Sequence, residues 1–418
     1  MRPLYRLGAL GYRVAVAAAQ AFNDKARRRE LGARQALSVL PATSPGRACY
    51  WMHCASVGEY EQGRPLWDAM RASAPEARFV LSFFSPSGYE QFGGKPGHGE
   101  VVYLPHDVGD TARQFVSRLY GAQGVRGLAV FVKYEWWLGY HEALRSAGVP
   151  YVVIAAAFRQ SQPFFRWWGG AWREALRSAR HVFTQTPEAA GLLGTLDIEH
   201  VSAVGDPRVD RTRANASAPL DRPQLEAWAR GQSLLLVAGS TWPAGEALLA
   251  EVLAAAPHVS LLIAPHEVHE AHLAAVERQF ARAGCTRLSR LTRGEAPGRV
   301  VLVDSIGLLS RLYRLGHVAY VGGGFGAGIH NVLEAVAYGL PTAVGPKHGT
   351  FAEVGELIGL GVASEVRDAA QLALFLERHA APEARHAVFA KAEAYFEAHA
   401  GATARIVSYL RAAKLLPA

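Results

Sequence analysis

Short apolar runs alternate with amphipathic stretches along most of the chain. Runs typical of buried strands occupy residues 49–54, 79–84, 101–104, 127–132, 151–156 and 181–185. The segments between them, such as 63–72 and 138–147, have helical periodicity. This alternation predicts an α/β fold with a parallel, doubly wound sheet, because successive parallel strands are usually joined by a crossover helix.

The alternation pauses once and then resumes. Residues 208–223 are polar and contain two prolines, which predicts an inter-domain linker at 211–224. Strand-like runs return at 234–238, 260–264, 300–303, 317–321 and 342–344, with helical segments at 244–256 and 269–283. We therefore predict two Rossmann-like domains, 31–210 and 225–418, facing each other across a cleft. Residues 384–415 have the pattern of one or two amphipathic helices, which could pack back on the first domain.

The N-terminal residues 4–22 are apolar and alanine-rich, yet Arg6, Arg13 and Gln20 recur every seven residues. On a helix these three side chains share one face. A basic cluster follows, at Lys25, Arg27, Arg28 and Arg29. Two arginines within the stretch argue against a membrane span, and no signal-peptide cleavage site is evident. We predict an amphipathic helix at 1–30 that lies on an anionic cytoplasmic membrane surface; a helix packed on the protein is the alternative.

Composition narrows the possible partners. The chain has 418 residues, half of them apolar, and a formal net charge of +8, which favours an anionic partner. The basic residues form no long run with interleaved aromatics, so we expect no nucleic acid. The three cysteines have neither disulfide-framework nor metal-ligand spacing, and the histidines form no recognised metal motif. We expect no metal, no cofactor and no obligate protein partner.

The strongest local signal is a glycine-rich segment that follows a strand-like run and precedes a predicted helix. Its glycines are Gly322, Gly323, Gly324, Gly326 and Gly328, with His330 and Asn331 directly after them. Glycines permit close backbone approach, and a helix start offers free N–H groups to an anion. The segment matches neither the G-x-G-x-x-G fingerprint nor a Walker loop. We predict that it holds the phosphate of a sugar donor; a tight packing turn is the alternative.

Two charged residues follow the glycine-rich segment. Glu334 could accept hydrogen bonds from ribose hydroxyls, although a carboxylate in a first helical turn is also explained by the helix dipole. Lys347 lies in the loop after the next strand and would face the same sheet edge. Both are predicted donor-binding residues.

A second signal, Ser56-Val57-Gly58-Glu59, directly follows the first strand. A glutamate there lies at the carboxyl edge of the sheet, where open α/β proteins bind ligands. Glu59 could remove a proton from an attacking hydroxyl if burial raises its pKa. A first-turn glutamate that only stabilises the helix start is an equally supported interpretation from spacing alone.

Other polar residues obey the same positional rule, since all follow predicted strands. On the first domain these predicted acceptor-side residues are Ser56, Gly58, Ser85, Ser87, Gly88, Lys133 and Glu135; on the second, Ser240, Thr241 and His266 join the donor side. We expect residues 239–241 to open the first helix of the second domain. Singly, each is more often a cap or a packing residue. The aromatic stretch 164–168 could contact membrane or acyl chains, or form a buried helix face.

Taken in order, these motifs resemble those of the 3-deoxy-D-manno-octulosonic acid (Kdo) transferases of lipopolysaccharide synthesis. The resemblance runs from the N-terminus to the last helices. It is carried by residues 51–59, 84–90, 103–105, 238–241 and 322–335. One departure is 133–137, Lys-Tyr-Glu-Trp-Trp, where many members have Glu-Thr-Glu-Leu-Trp-Pro, although Glu135 is kept. Another is 265–267, which lacks the arginine many members show near this point.

The resemblance implies a GT-B fold and metal-independent, inverting transfer of Kdo from CMP-Kdo to a lipid A precursor at the inner membrane. Glu59 matches the family's proposed catalytic base, and Ser240, Thr241, Gly323, Asn331 and Glu334 match its CMP side. Two rival hypotheses remain: another GT-B enzyme such as a nucleotide-sugar 2-epimerase, and a non-catalytic lipid- or sugar-binding relative.

Overall fold

A computed structural model of the protein describes residues 2–44, 46–121, 126–133, 135–326, 328–349 and 351–417, with backbone alone for residues 2–4, 6 and 352. The predicted roles of Tyr134 and of the Arg6 side chain therefore lie outside the described part. Contacts divide the chain into two compact units. Unit 1 runs to Arg211 and also includes His399 onwards, whereas unit 2 is Thr212–Ala398.

The elements of unit 1, in chain order, are α1 (Arg2–Ala19), α2 (Asp24–Val39), β1 (Cys49–Cys54), α3 (Val57–Ser73), β2 (Arg78–Phe83), α4 (Pro86–Phe92), β3 (Glu100–Tyr103), α5 (Thr111–Tyr120), β4 (Gly127–Val132), α6 (Leu138–Ser146), β5 (Tyr151–Ala156), α7 (Gly170–Ser178), β6 (His181–Thr184), α8 (Pro187–Gly194) and β7 (Val201–Ala203). A short 3₁₀ turn, Pro163–Phe165, precedes α7. Helix α9 (Pro207–Ser217) crosses the division between the units.

Within the described residues, the strands of unit 1 form a parallel sheet of order β3-β2-β1-β4-β5-β6-β7. Strand β1 is buried along its whole length, with Trp51 packing into the core on one face and Met52 into the core on the other. This two-sided burial explains why β1 reads as a continuous apolar run rather than an alternating one. The strand order reverses between β1 and β4, which defines a topological switch point.

The elements of unit 2 are α10 (Pro223–Arg230), β8 (Leu234–Thr241), α11 (Pro243–Ala255), β9 (Val259–Pro265), α12 (Glu270–Gln279), β10 (Cys285–Arg287), α13 (Leu288–Leu291), β11 (Val300–Leu302), α14 (Leu309–Leu312), β12 (Val318–Val321), α15 (Leu333–Val336), β13 (Thr342–Val344), α16 (Ala352–Gly359), β14 (Ala363–Glu365), α17 (Ala369–Arg378) and α18 (Pro382–His399). Two 3₁₀ turns, Ala281–Ala283 and Tyr313–Leu315, complete it. Among the described residues, its strands form a parallel sheet of order β10-β11-β9-β8-β12-β13-β14, with a switch point between β8 and β12.

The last helix, α19 (Ala402–Ala412), belongs to unit 1. Its buried residues Ile406 and Leu410, together with Leu416, join the core that contains Met52. Asp210 anchors the start of this helix, because its carboxylate accepts the backbone N–H of Gly401 at 2.6 Å and of Thr403 at 2.7 Å.

The predicted doubly wound α/β class is confirmed, with differences of detail. Three strands were not predicted, because their sequences contain no apolar run: β7, β10 and β14. Each is three residues long and lies at a sheet edge, where one side has no partner and less apolar surface is buried. Residues 207–217, which overlap the polar segment predicted as a linker, are helical.

Candidate active site

The first group of candidate residues lies at the switch point of unit 1. Strands β1 and β4 are paired in parallel, so the residues that follow them emerge at the same sheet edge. Ser56 and Glu59 follow β1, whereas Lys133 and Glu135 follow β4. Ligands of open α/β sheets bind at such a position, and the structure brings these four predicted residues together there.

Glu59 stabilises the start of α3, and its carboxyl group also has a raised pKa. Its backbone N–H donates to the side chain of the N-cap residue Ser56 at 3.4 Å, and its carboxylate accepts the N–H of Ala55, an arrangement close to a capping box. Burial and the negative charge of Glu135 raise the pKa of Glu59 to about 8, against the opposing effects of the Ala55 hydrogen bond and the Lys133 charge. A carboxylate with that pKa is a competent proton acceptor near neutral pH.

Glu135 is itself held by a buried network. Its carboxylate accepts hydrogen bonds from Trp137 Nε1 at 2.5 Å and from His53 Nε2 at 2.9 Å. On the other side of the ring, His53 Nδ1 lies 2.9 Å from Ser82 Oγ, which accepts from Trp51 Nε1 at 2.8 Å. His53 Nδ1 also lies 3.1 Å from the Ser82 carbonyl oxygen, so both ring nitrogens have hydrogen-bond partners. His53 thus fixes Glu135 beside Glu59.

Lys133 is placed by an unusual backbone. It has φ of 65°, in the left-handed region, and its N–H donates to the carbonyl of Ile154 at 2.9 Å. A non-glycine residue in this region costs backbone energy and is frequent at functional sites. Its positive charge lowers the pKa of Glu59, although burial and Glu135 outweigh that effect.

The predicted residues after β2 divide by role. Ser85 caps α4, since its side chain accepts from the N–H of Gly88 at 3.4 Å, and its hydroxyl lies 3.0 Å from that of Ser87. Gly88 is buried, and a Cβ there would lie 2.2 Å from the Phe83 ring. Packing therefore suffices to explain this glycine. Gly58, by contrast, is exposed, and a Cβ there would meet only Ser56 Oγ, at 3.8 Å, an ordinary contact distance.

The second group of candidates lies at the switch point of unit 2, where β8 pairs with β12. Ser240 and Thr241 were expected to open a helix, but they end β8, and α11 begins only at Pro243. Ser240 has φ of 51°, in the left-handed region. Thr241 is fully buried, and its hydroxyl donates to Glu246 at 2.9 Å. The Thr241 side chain is thereby committed to the protein interior.

The glycine-rich segment follows β12 at this same edge and passes close to its neighbours. A Cβ on Gly322 would lie 2.1 Å from the Ser240 carbonyl oxygen, and one on Gly324 would lie 2.6 Å from the Gly345 Cα. Gly323 has φ of 94°. Packing accounts for these three glycines.

Gly326 and Gly328 are different. A Cβ on either would meet nothing closer than 3.7 Å, although Gly328 has φ of 117°. Gly326 has neither a positive φ nor a close neighbour. A tight packing turn, the alternative to phosphate binding, therefore does not explain why this residue is glycine.

Three aromatic rings stack beside the glycine-rich segment. The ring of His266 stacks on both Trp242 and His330, with centroid separations of 4.7 and 4.4 Å, while the rings of Trp242 and His330 are nearly parallel, with centroids 6.4 Å apart. Trp242 Nε1 donates to His330 Nε2 at 3.0 Å, which places the neutral imidazole's proton on Nδ1. Burial, and secondarily His266, lower the pKa of His330 to about 4. His330 is therefore a neutral ring near pH 7, with hydrogen-bonding capacity but no charge.

The helix expected after the glycine-rich segment is reduced to one turn. Residues 329–331 are irregular and α15 has four residues, so a strong helix dipole aimed at an anion is not formed there. The helix ends before Gly339, whose φ is 68° and which Pro341 soon follows. Asn331 Nδ2 donates to Glu334 at 3.2 Å, while the buried Asn331 Oδ1 has no hydrogen-bond partner among the described residues.

Lys347 supplies a cation to this edge of the sheet. Its side chain is exposed, and its backbone N–H donates to the Gly324 carbonyl at 2.8 Å. The loop that carries Lys347 is thereby tied to the glycine-rich segment, so the exposed ammonium is held next to it.

One cluster within the described ranges has the composition of a metal site. Potential ligand atoms of Glu267, His269 and His272 lie within 4.8 Å of one another. Glu267 and His269 are exposed, and His272 Nε2 is 2.9 Å from the buried Glu246. The expectation that no metal takes part stays a prediction.

Sequence reasoning missed His53 and Trp242. Trp242 directly follows the predicted site residue Thr241 at a strand carboxyl end, so the positional rule could have included it. His53 lies inside a strand, where a polar residue in an apolar run was the available signal. Its partnership with Glu135, eighty-two positions away, required the fold.

Comparison with known proteins agrees with this architecture. The chain superposes on a putative UDP-N-acetylglucosamine 2-epimerase from Listeria monocytogenes with a TM-score of 0.58 and 14% identity, covering 87% of this chain and 95% of that one. It also superposes on the glycotransferase of kitacinnamycin with a TM-score of 0.53 and 14% identity, covering 90% and 100%. At this identity the likeness concerns the fold: the two Rossmann-like units are those of GT-B proteins.

Comparison of sequences identifies a particular family to which the chain is similar. Residues 30–211 match the profile of the family described as 3-deoxy-D-manno-octulosonic-acid transferase (kdotransferase). The 3-deoxy-D-manno-octulosonic acid transferase of Bordetella pertussis is 29% identical over 388 residues, 88% of each chain. That of Aquifex aeolicus is 23% identical over 308 residues, 72% of this chain and 76% of the other.

The fold and these matches define the chain as a glycosyltransferase of GT-B architecture. Its sequence is similar to those of the Kdo transferases over most of its length, and the resemblance that the motifs predicted is confirmed.

Proposed function

We propose that this protein moves Kdo from CMP-Kdo to a hydroxyl group of a lipid A precursor, with inversion at the anomeric carbon and without a metal ion. The similarity to Kdo transferases supports the donor sugar. The observation that carries the chemistry is Glu59, a half-buried carboxylate at the switch point of unit 1 whose pKa is raised to about 8.

In this mechanism Glu59 accepts the proton of the acceptor hydroxyl while that oxygen bonds to the anomeric carbon. The bond between this carbon and the CMP phosphate oxygen breaks, and its electron pair leaves with CMP. Attack from the face opposite the departing phosphate inverts the configuration. Glu135 keeps the pKa of Glu59 high enough for efficient proton transfer, and His53 keeps Glu135 in place.

The donor side of the proposal uses unit 2. The rings of Trp242, His266 and His330 offer a flat surface and a neutral imidazole, which suit a nucleoside. Gly326 permits close approach of a phosphate, and the exposed Lys347 would offset the charge that develops as CMP leaves. Asn331 and Glu334 supply an amide and a carboxylate for hydroxyl groups.

The acceptor side uses unit 1. Ser56, Ser85 and Ser87 present hydroxyl groups at the same sheet edge as Glu59, and Lys133 adds a cation suited to a lipid phosphate. Gly58 is exposed, and a Cβ there would meet only Ser56 Oγ, at 3.8 Å, so no side chain crowds this turn.

We further propose that the protein works on the cytoplasmic face of the inner membrane, where such an acceptor resides. Each helix in the described ranges is too short or too polar to cross a bilayer. Helix α1 nevertheless exposes Leu7, Leu10 and Val14, which share one helical face. An exposed apolar face beside arginines suits in-plane binding to anionic lipid. Replacing all three by Gln should release the protein from sedimented anionic vesicles, and full sedimentation of this variant would rule out α1 as the main anchor.

Incubation with CMP-Kdo and a lipid A precursor, followed by mass analysis, tests the transfer reaction. Glu59→Gln should lower the transfer rate by about 10²- to 10⁴-fold, the usual contribution of a general base. Glu188→Gln is the matched control, because Glu188 is an exposed first-turn glutamate that follows β6 as Glu59 follows β1. Transfer by Glu59→Gln at the wild-type rate would remove Glu59 as the base.

The epimerase hypothesis has support from fold alone, and nucleotide preference separates it from transfer. Calorimetric titration should give binding of CMP and little binding of UDP; the reverse would favour an epimerase. If the wild-type protein transfers Kdo to no lipid A precursor yet binds the lipid, the non-catalytic interpretation would replace ours.

A further inference from the structure

Unit 1 contains an apolar cavity of about 500 Å³ beside the N-terminal helix. Its walls are contributed by α1, by the loops after β2, β3 and β4, and by the segment before α7 and its start. Most of the lining is aromatic or apolar, including Phe84, Leu104, Trp137, Trp168 and Trp172. The volume falls in the range of small-molecule binding sites.

One face of α1 closes this cavity. Tyr5, Gly8, Ala9 and Tyr12 line it, and their spacing of three, four and seven residues places them on the same side of the helix. Tyr5 anchors the helix, because its hydroxyl donates to Asp107 at 2.5 Å and accepts the N–H of Leu138 at 3.2 Å. The exposed leucines of α1 lie on the opposite side, so the cavity and the proposed membrane-binding surface are separate features of one helix.

A buried cation borders the cavity with unused donors. Arg29 is 4% exposed, and its guanidinium stacks over Phe84 at 4.4 Å from the ring centroid. One nitrogen donates to the Leu104 carbonyl at 2.7 Å, but Nε and Nη1 have no hydrogen-bond partner among the described residues. Burial lowers the pKa of Arg29. A buried guanidinium with two nitrogens that lack hydrogen-bond partners is costly unless an oxygen-bearing ligand accepts from them.

A single side chain, that of Trp137, connects the cavity to the proposed active site. Trp137 lines the cavity and donates its Nε1 hydrogen to Glu135, the neighbour of Glu59. Its ring stacks on Phe84 at 5.3 Å, and Phe84 directly precedes Ser85. A ligand in the cavity therefore lies one side chain away from the carboxylates.

We propose that this cavity binds one acyl chain of the acceptor lipid, with Arg29 donating to an oxygen of that lipid's phosphate or acyl linkage. The inference rests on the proposed function, because it treats the occupant as the acylated, phosphorylated acceptor. The apolar cavity binds the hydrocarbon chain, and the Arg29 guanidinium donates to the anionic or carbonyl oxygen at the head of that chain. Trp137 lies between the cavity and the carboxylates of Glu135 and Glu59. The cavity would hold the sugar hydroxyl in register with Glu59.

Direct binding is measured by tryptophan quenching with an N-acyl glucosamine 1-phosphate that carries bromine on its single acyl chain. Gly8→Leu fills the cavity, because Gly8 lines it and has open space at its Cβ position. Gly11→Leu is the matched control, since Gly11 is on the same helix with the same open space but outside the cavity lining. Saturable quenching of wild type and Gly11→Leu, with at least a tenfold weaker response in Gly8→Leu, is expected. Equal quenching of all three would overturn the proposal.

The transfer assay provides the second measurement. With intact lipid A precursor, Gly8→Leu should raise KM at least tenfold and leave kcat within about twofold of the wild-type value. A fully deacylated acceptor should react equally with the wild type and with Gly8→Leu. An equal KM for intact and deacylated acceptors in the wild type would refute an acyl-chain site while leaving Kdo transfer intact. Saturable quenching without any Kdo transfer would instead refute the proposed function and leave the cavity assignment standing.

Arg29 is tested by Arg29→Lys, which keeps the charge but loses the planar fork of donors. We expect weaker quenching by the phosphorylated probe and a smaller loss with the same probe lacking its phosphate. Equal losses with both probes, together with an unchanged melting temperature, would assign Arg29 to the acyl linkage; no loss with either would remove it from the site. Vesicles of brominated phospholipid are a control for membrane contact. Equal quenching of wild type and Gly8→Leu by these vesicles would show contact through the outer face of α1. If the soluble probe also gave no saturable quenching, the proposal would be overturned.

Discussion

At the scale of single residues, the decisive feature is that the carboxylate that caps α3 is also the one whose pKa is raised to about 8. Glu59 accepts the Ala55 N–H as a capping residue would, which satisfied the simpler interpretation of its position. The pKa, however, depends on burial and on Glu135, which is far away in sequence. The two interpretations that spacing left equal are therefore compatible.

The pH dependence of transfer should report this coupling. Because the base form of Glu59 appears as pH rises through about 8, kcat/KM of the wild type should rise with pH to a plateau above that value. Glu135→Gln removes a negative charge and should move this limb to lower pH, whereas Lys133→Gln should move it to higher pH. Glu199→Gln, an exposed change in unit 1, should leave it unaltered. Coincident profiles for all four proteins would show that these charges do not set the pKa.

Stability should change with pH in a matching direction. The pKa of Glu59 is higher in the folded state than its ordinary value of 4.5, so its contribution is fully present below about pH 4.5 and is lost as pH rises through about 8. Glu59→Gln carries no such charge and keeps an oxygen for the Ala55 N–H. In urea unfolding, the variant should therefore gain on the wild type between pH 5 and 9. A constant difference across this range would contradict a raised pKa.

At the scale of secondary structure elements, strand-to-helix turns position most of the candidate residues, and their glycines are not equivalent. Gly58 and Gly88 each follow an N-cap serine by two or three positions, and both were predicted acceptor contacts. The two glycines differ in the room available for a side chain. At Gly88 the Phe83 ring leaves no room for a Cβ, whereas at Gly58 a Cβ would fit.

Alanine substitution distinguishes them by stability. Gly88→Ala should lower the free energy of unfolding by about 1–3 kcal/mol through overpacking against Phe83. Gly58→Ala should be neutral or stabilising by up to about 1 kcal/mol, because alanine favours a helix and has room there. Urea titration followed by circular dichroism gives both values. A destabilised Gly58→Ala with an unaffected Gly88→Ala would reverse the assignment.

Elements were predicted well where burial was complete and poorly where it was partial. Strands β1, β4 and β5 have the predicted bounds, because strands buried on both faces must be continuously apolar. The short edge strands β7, β10 and β14 have no continuous apolar run in the sequence and were therefore not predicted. The helix after the glycine-rich segment was overestimated, since Gly339 and Pro341 end it within one turn.

At the scale of the whole molecule, the end of the chain completes the core of its first unit. Leu410 is fully buried among residues of β1 and β2, although more than three hundred positions separate them. The apolar periodicity of the last residues predicted helices that could pack on the first domain. The structure groups His399 onwards with unit 1.

Removing part of this contact should be costly. Leu410→Ala should lower the free energy of unfolding of unit 1 by about 2–5 kcal/mol, since it leaves a cavity in a closed core. Leu31→Ala is the control, because Leu31 is 51% exposed in the same unit. Intrinsic tryptophan fluorescence follows this unfolding, as most tryptophans lie in unit 1. Similar values for the two variants would mean that the C-terminal helix contributes little to the core.

The sequence by itself determined the α/β class, the kinship with Kdo transferases and the sheet edges at which polar residues would emerge. These follow from local patterns: a strand buried on both faces is apolar throughout, and parallel strands present their carboxyl ends at one edge. Tertiary structure alone decided that His53 fixes Glu135, that Glu135 raises the pKa of Glu59, and that α1 and Arg29 enclose an apolar cavity. Each of these depends on distance and burial between residues far apart in the chain, quantities that no spacing along a single sequence contains.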